Sequence, residues 1–375
     1  TGLSVIKKHD GVIVYADRFV QWKGEATVEV NLLAIQKEPI ISSHSFLDGR
    51  PVPTISSWLD DLPEYEPFRL VSNKKQGFIG DIVRGMGFLL GQDEYNKLTN
   101  KDPRNKDCLF PYLIGDDFNN NPGRVADRYV ICFFDWPLNE AQKYPDLLEI
   151  LEQRVKPERE KVKQVQERER WWQFSRYRRD LREAAKGLNR LLVRSLVSEN
   201  HMLAFVPSNQ ILSCKLVVFA KESFYDFGVL QSVLHETWLR RYATTLRTDI
   251  SYTVNNCFET FPYPVIVDIS LINKITGIGE AFYQQRELIM NEMNLGLTKT
   301  NNLLNDPKII IPNIIKLRDL LCDLNQSVLE CYGWDDIDLQ HDFYPNDRKK
   351  IRFMPSPAAQ REIFTRLVAL NQEIA

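Results

Sequence analysis

The chain has 375 residues, 43% hydrophobic and 26% charged, with a formal net charge of −2; that is long for one domain and comfortable for two or three. No apolar run approaches the ~20 residues a membrane span needs. The six cysteines form no Cys-x-x-Cys pair and have no histidine at ligand spacing, which argues against a zinc site or disulfide framework and points to reduced thiols in a cytosolic protein.

In chain order, Thr1-Gly-Leu-Ser-Val5 shows neither initiator Met nor leader pattern, so a piece of a longer protein is expected. Residues 11–16 and 26–35 are β-rich and partly alternating, predicting two strands. Two strands make no stable sheet alone, which suggests that they belong to a larger one. Residues 38–125 are rich in Pro, Gly, Asn and Asp and read as long ordered loops, with one short helix near Gln92–Leu98. The glycines of Gly77-Phe-Ile-Gly80 and Gly85-Met-Gly87 form turns, because no Gly-x-x-x-x-Gly-Lys-Ser/Thr phosphate cradle is present. Arg128–Phe134 reads as a strand and Leu138–Arg154 as a helix, with Pro157 opening another.

Leu181, Ala184, Ala185, Leu188, Leu191 and Leu192 fall at helical spacing, predicting an amphipathic helix with Arg182, Lys186 and Arg190 elsewhere on its surface. His201–Val206 and Lys215–Ala220 read as short strands around a polar tip, Pro207-Ser-Asn-Gln210. Further helices are predicted over Gly228–Leu246, 269–294, 313–332 and 357–374, the last capped by Ser356. The fold class is mixed α/β, with a helical C-terminal part.

Charge is the least even feature. Between Arg154 and Arg194 fourteen Lys/Arg stand against six Asp/Glu, a balance of +8 in a chain of −2. Such a concentration suits a polyanion, whose neutralised phosphates release counterions. Arginines outnumber lysines there, and Trp171, Trp172 and Tyr177 are interleaved; arginine and aromatic rings stack on bases and arginine forks to guanine edges. A charged amphipathic helix with its aromatics in the core is the competing reading. Hydrolytic and metal chemistry finds no support: there is no Gly-x-Ser-x-Gly, no His-Glu-x-x-His, and no Glu-x-Lys after Pro145-Asp146. His235 reads as a packing or phosphate-contacting residue, and Asp60-Asp61 and Asp116-Asp117 as solvated turns.

Taken together, Trp22-Lys-Gly-Glu-Ala-Thr-Val28, Asp102-Pro-Arg-Asn-Lys-Asp107 with Phe110-Pro-Tyr-Leu-Ile-Gly115, Lys156-Pro-Glu-Arg159 with Trp171-Trp172, Phe258-Glu-Thr-Phe-Pro262, and Tyr332-Gly-Trp334 resemble, nearly end to end and in order, the C-terminal portion of large adenine-specific DNA methyltransferases of type II restriction–modification systems, the type IIL kind included. Each motif alone is weak. The resemblance implies closing strands of a methyltransferase domain (1–37), a loop-rich connector (38–115), a target-recognition domain (116–265) and a helical region (266–375). The family's Asn/Asp-Pro-Pro-Tyr/Phe motif, which grips a flipped adenine, and its glycine-rich S-adenosylmethionine strand are absent. The chain is therefore expected to carry no catalytic or cofactor-binding residue and to serve a catalytic domain in cis that holds S-adenosylmethionine, its own partner being double-stranded DNA.

The residues singled out for DNA are Lys163, Arg168, Arg170, Trp172, Arg176, Tyr177, Arg178 and Arg179. Ser208, Asn209 and Gln210 are added as a reading loop, and Lys74, Lys75 and Arg84 as connector contacts near the backbone. Of Trp171 and Trp172, one is expected in the core and one at DNA. A non-catalytic specificity subunit and a helical protein-interaction module are the alternatives, the second predicting no DNA affinity.

Overall fold

The computed structural model describes residues 2–22, 29–37, 44–246, 249–265 and 268–375. After a short helix, Gly2–Lys8, the strand Val12–Gln21 pairs antiparallel with Glu29–Gln36 and parallel with Ser45–Leu47, which turns through Asp48-Gly49 into Arg50–Val52. Both expected strands are present, although residues 26–28 and most of the Trp22–Val28 motif lie outside the described residues. The two added strands come from a stretch expected to be loop; at three residues each they are too short for alternation to register. One face of this sheet packs Ile13, Ala16, Leu47 and Val52 against Ile55 and Leu59. The other leaves Tyr15, Leu32 and Phe46 exposed.

The centre holds two four-stranded sheets. One has the order Ala204–Pro207, Arg190–Ser195, Leu216–Phe219, Gly77–Ile79; the other runs Ile211–Leu212, Leu109–Leu113, Tyr129–Ile131, Leu89–Leu90. The helix predicted over 181–192 is here corrected. It stops at Ala184, Gly187 turns the chain at φ 86°, and Leu191, Leu192 and Val193 become an inner strand with no exposed surface. A strand covered on both faces shows a continuous apolar run, and Leu-Leu-Val satisfies that pattern as well as a helical one. The helix predicted over Gly228–Leu246 is likewise two, Phe224–Gln231 and Val233–Tyr242, parted where Ser232 takes an extended ψ of 162°. The segment Leu138–Arg154 breaks before Pro145, which lacks an N–H to continue a helix.

The C-terminal helices Ile269–Glu292, Pro312–Cys331 and Pro357–Glu373 follow their predicted spans, and the Ser356 hydroxyl accepts from the Ala359 N–H at 3.2 Å. Leu297–Asn305 is a further helix between the first two, where none was predicted. These helices share the largest core with Phe227, Trp238, Phe258 and Phe261, and Gly228 lets one approach: a Cβ there would meet Ile275 Cγ2 at 2.6 Å. Buried Asn371 fastens the last helix to the connector, accepting from the Tyr65 hydroxyl and Phe68 N–H at 2.7 and 2.9 Å and donating to the Phe68 and Thr260 carbonyls at 3.0 and 2.7 Å.

That core encloses His201 and His235 beside fully buried Arg194. His201 Nε2 and His235 Nδ1 lie 2.5 and 3.0 Å from the Leu230 carbonyl, and His235 Nε2 lies 3.1 Å from the Tyr252 hydroxyl. His235 is thus a packing residue, out of reach of any phosphate. Burial, then Arg194 beside His201 and His201 beside His235, holds both rings well below the ordinary histidine pKa. The native rings stay neutral while the unfolded chain takes up protons below about pH 6.5. Their contribution to stability is therefore complete above that pH and falls as the pH drops below it, by up to about 1.4 kcal/mol per pH unit for each ring. Thermal melts between pH 7.5 and 5 are expected to show this loss, and His235→Gln to flatten the slope by about one proton.

Candidate nucleic-acid interface

The segments singled out from sequence meet around one carboxylate. Gly80, where a Cβ would stand 2.3 Å from the Leu212 carbonyl, lets the chain pass close enough for Asp81 to bridge. The Asp81 N–H donates to the Leu212 carbonyl at 2.7 Å, and its own carbonyl accepts from the Cys214 N–H at 2.9 Å. Its side chain, with no exposed surface, accepts from the Arg178 N–H at 2.7 Å and from Arg182 Nη2 at 2.5 Å. Arg182 Nη1 in turn donates to the Gln210 carbonyl at 3.1 Å. One buried residue thereby joins the glycine-rich connector, the basic segment and the 207–210 tip. Burial pushes the Asp81 carboxyl above its usual range, opposed by Arg182 and the Arg178 N–H. Arg182, expected on the surface, is a structural crosslink, and Arg190 lies 3.8 Å from the Phe205 ring centre with its Nε on the Glu222 carbonyl.

A second carboxylate collects the cations nearby. Glu167 accepts from Arg159 Nη1 at 2.7 Å, Arg84 Nη1 at 2.9 Å and the Ser175 hydroxyl at 2.5 Å. Desolvation raises its pKa, but Ser175, Arg159 and Arg84 outweigh this and hold it below the ordinary range. Within the +8 segment, Arg154, Lys156, Arg179 and Arg182 also have carboxylate partners, in Glu94, Glu152, Asp135 and Asp81. Lys161, Lys163, Arg170, Arg176 and Lys186 stay exposed with no carboxylate partner among the described residues. The surface charge is thus smaller than the sequence suggests, and sits at identifiable positions.

Of the singled-out residues, Lys163, Arg170, Arg176 and Asn209 are exposed, as are Lys74 and Lys75 after the short turn Val71–Asn73. Arg84 and Arg179 are exposed but paired, and Arg168 Nη1 donates to the Val162 and Lys163 carbonyls at 2.8 and 3.0 Å. Arg178 is half-buried, and so is Tyr177, which packs edge-on to Phe134; desolvation pushes its hydroxyl up to about 12. The Ser208 hydroxyl donates to the Leu188 carbonyl at 2.6 Å. Two assignments are corrected. Trp172 is 8% exposed with Nε1 on the Trp136 carbonyl at 2.9 Å, so Trp171, partly exposed under the Lys156 ammonium, is the outward member of the pair. Gln210 is buried, its amide donating to the Pro207 carbonyl at 3.0 Å, so the tip presents Asn209.

Sequence reasoning missed a cleft of about 1180 Å³ between the N-terminal sheet, the end of the helix Val233–Tyr242, and the hairpin Asp342–Pro345/Ile351–Met354. Arg18, Arg69, Arg240, Arg348 and Arg361 line it, with Asn200, Asn256 and Asn301. Most of these arginines face close carboxylates: Arg18 with Asp48 at 2.7 Å, Arg348 with Glu29 at 2.8 Å, Arg361 with Asp61 at 2.9 Å. Guanidinium and amide groups at such density suit phosphate and base edges. No sequence signal could have found the cleft, because its lining is gathered from residues 18 to 364. Asp60 and Asp61, expected in a solvated turn, are instead partners of Arg241 and Arg361 on its wall. Among the described residues no cluster of His, Cys, Asp and Glu could hold a metal ion, and no helix is long and apolar enough to cross a membrane.

Fold and surface define a mixed α/β module that presents arginine-rich faces on a crosslinked frame. Residues 71–265 match the family described as the MmeI target recognition domain, more than half of the chain, and the chain belongs to that family. The fold is similar to that of MmeI, a type IIL restriction–modification enzyme solved in complex with DNA, with a TM-score of 0.73 and 18% identity over 99% of this chain and 47% of that one. A 77-residue stretch is 34% identical to DNA methyltransferase A of Bacillus subtilis (strain 168), covering 20% of this chain and 9% of that protein. The chain thus spans about half of the MmeI structure and less of the curated relative.

The Asp81 crosslink predicts a specific loss. A buried ion pair is near neutral overall, but removing one partner strands the other. Asp81→Ala leaves Arg182 and the Arg178 N–H without their acceptor and is expected to destabilise the chain by about 3 kcal/mol, measured by urea unfolding. Arg182→Met strands the Asp81 carboxylate, the more deeply buried partner, and is expected to cost at least as much, whereas replacing both, Asp81→Asn with Arg182→Met, is expected to cost less than either.

Proposed function

We propose that this chain is the DNA-reading portion of a larger adenine-specific DNA methyltransferase of the type II restriction–modification class. Its family membership over residues 71–265 carries the reading. Exposed Lys163, Arg170 and Arg176, held on the frame around Asp81 and Glu167, give the electrostatic grip, and Asn209 stands at an exposed tip where a fork to an adenine edge is available. Lys74 and Lys75 add phosphate contacts from the connector. The division into closing strands (1–37), connector (38–115), recognition domain (116–265) and helical region (266–375) belongs to the same proposal, as does a cytoplasmic location. S-adenosylmethionine and the flipped adenine are handled by another part of the parent polypeptide: no Asn or Asp precedes a Pro-Pro in this sequence. The exposed face of Tyr15, Leu32 and Phe46 suits contact with that catalytic domain. A helical protein-interaction module is disfavoured, since the C-terminal helices bury Ile275, Leu324 and Leu367 in the shared core.

The test is duplex binding as a function of salt. The logarithm of affinity is expected to fall linearly with the logarithm of salt, by about 0.9 per neutralised phosphate. Changing Lys163, Arg170 and Arg176 to Ala is expected to flatten that slope by about one unit per lost contact. In the parent enzyme, Asn209→Ala is expected to relax the methylated site at one base position, a discrimination of about 1–3 kcal/mol. Salt-independent or absent binding overturns the proposal, and a site unchanged by Asn209→Ala removes that residue from it.

A further inference from the structure

The connector contains a turn whose construction the electrostatic reading leaves unused. Arg84 adopts φ 50° and Gly85 φ 121°, two successive positions in backbone space that side chains disfavour. The strained turn is held by Arg159, which is 3% exposed: its Nη2 donates to the Val83 and Arg84 carbonyls at 3.1 and 2.9 Å, and its Nη1 is fixed by Glu167. Beneath it, Phe88 is fully buried with the Arg159 guanidinium 5.7 Å from its ring centre. Gly87 sits against the helix end, where a Cβ would meet Arg154 Cβ and Val155 Cγ2 at 2.8 Å. What this rigid support thrusts outward is Met86, 76% exposed.

The turn's neighbours define what it can meet. The N–H groups of Ile82 and Arg176 donate to each other's carbonyls at 3.0 and 3.1 Å, so the exposed Arg176 is bridged to the chain that leads into the turn. Glu158 Oε2 stands 3.5 Å from the Cβ position of Gly85. A tip flanked by one carboxylate and by Arg84, itself paired with Glu167, is a poor phosphate site. An unbranched thioether side chain on a rigid base is suited to apolar contact with a base stack, where inserted wedges partly unstack a step.

We propose that the turn Arg84–Met86 is a preshaped wedge whose Met86 side chain presses into the base stack of duplex DNA, opening the step beside it; this rests on the DNA-reading function proposed above. The probe is the full 375-residue chain with a duplex of randomised sequence in which 2-aminopurine replaces part of the adenine. Binding is expected to raise 2-aminopurine fluorescence. Met86→Ala is expected to abolish that rise and weaken binding about tenfold at every salt concentration, leaving the salt slope and the melting temperature unchanged. Met86→Leu, which keeps the apolar bulk, is expected to retain both signals. Salt-dependent binding with no fluorescence rise, or with Met86→Ala indistinguishable from the parent chain, overturns the wedge and leaves the DNA-reading function standing. Absence of duplex binding overturns both.

Discussion

A buried carboxylate joining three distant stretches of chain is the constraint from which the candidate interface follows. Asp81 has no exposed surface, and its oxygens are engaged by the Arg178 N–H and the Arg182 guanidinium. Removing such a group from water is costly unless every lone pair finds a donor in place. The basic segment, the connector and the 207–210 tip therefore hold one arrangement, and slippage among them leaves a charge unsatisfied. Affinity and geometry are thereby separated: the charges that could touch a phosphate lie outside, while those that fix where they stand lie within.

The distribution of charge illustrates why sequence and surface differ. In the sequence, Arg159, Arg176 and Arg182 are three members of one basic run. In the fold, Arg159 staples a turn, Arg182 bridges Asp81 to Gln210, and only Arg176 faces solvent unpaired among the described residues. Nothing local separates them, because their partners, Glu167, Asp81 and backbone carbonyls, are chosen by tertiary packing. The same holds for Trp171 and Trp172, adjacent in sequence and opposite in exposure.

Long periodic helices were the most legible part of the chain: Ile269–Glu292, Pro312–Cys331 and Pro357–Glu373 lie where spacing and capping put them. The family was legible too: three of its motifs, at 102–115, 156–172 and 258–262, fall within residues 71–265, which match the MmeI target recognition domain. Leu191-Leu192-Val193 was misread because a doubly covered strand and a buried helical face look alike over a few residues. Strands of two or three residues, such as Leu89–Leu90 and Ser45–Leu47, have no pattern to read. The inward turn of Gln210 and the arginine-lined cleft depend on contacts that only the assembled fold supplies.

Asn371 bears on how such a protein can be recombined. A single amide near the end of the last helix satisfies backbone groups of Phe68 and Thr260 and the hydroxyl of Tyr65. Those groups lie on either side of the segment that holds most of the exposed cations. An exchange of that segment alone between two relatives would therefore require the donor's connector and the host's final helix to agree on one amide's geometry. The structural unit that such an exchange has to respect is a closed loop of chain, fastened at both ends by the C-terminal helix, and larger than the segment that bears the charges.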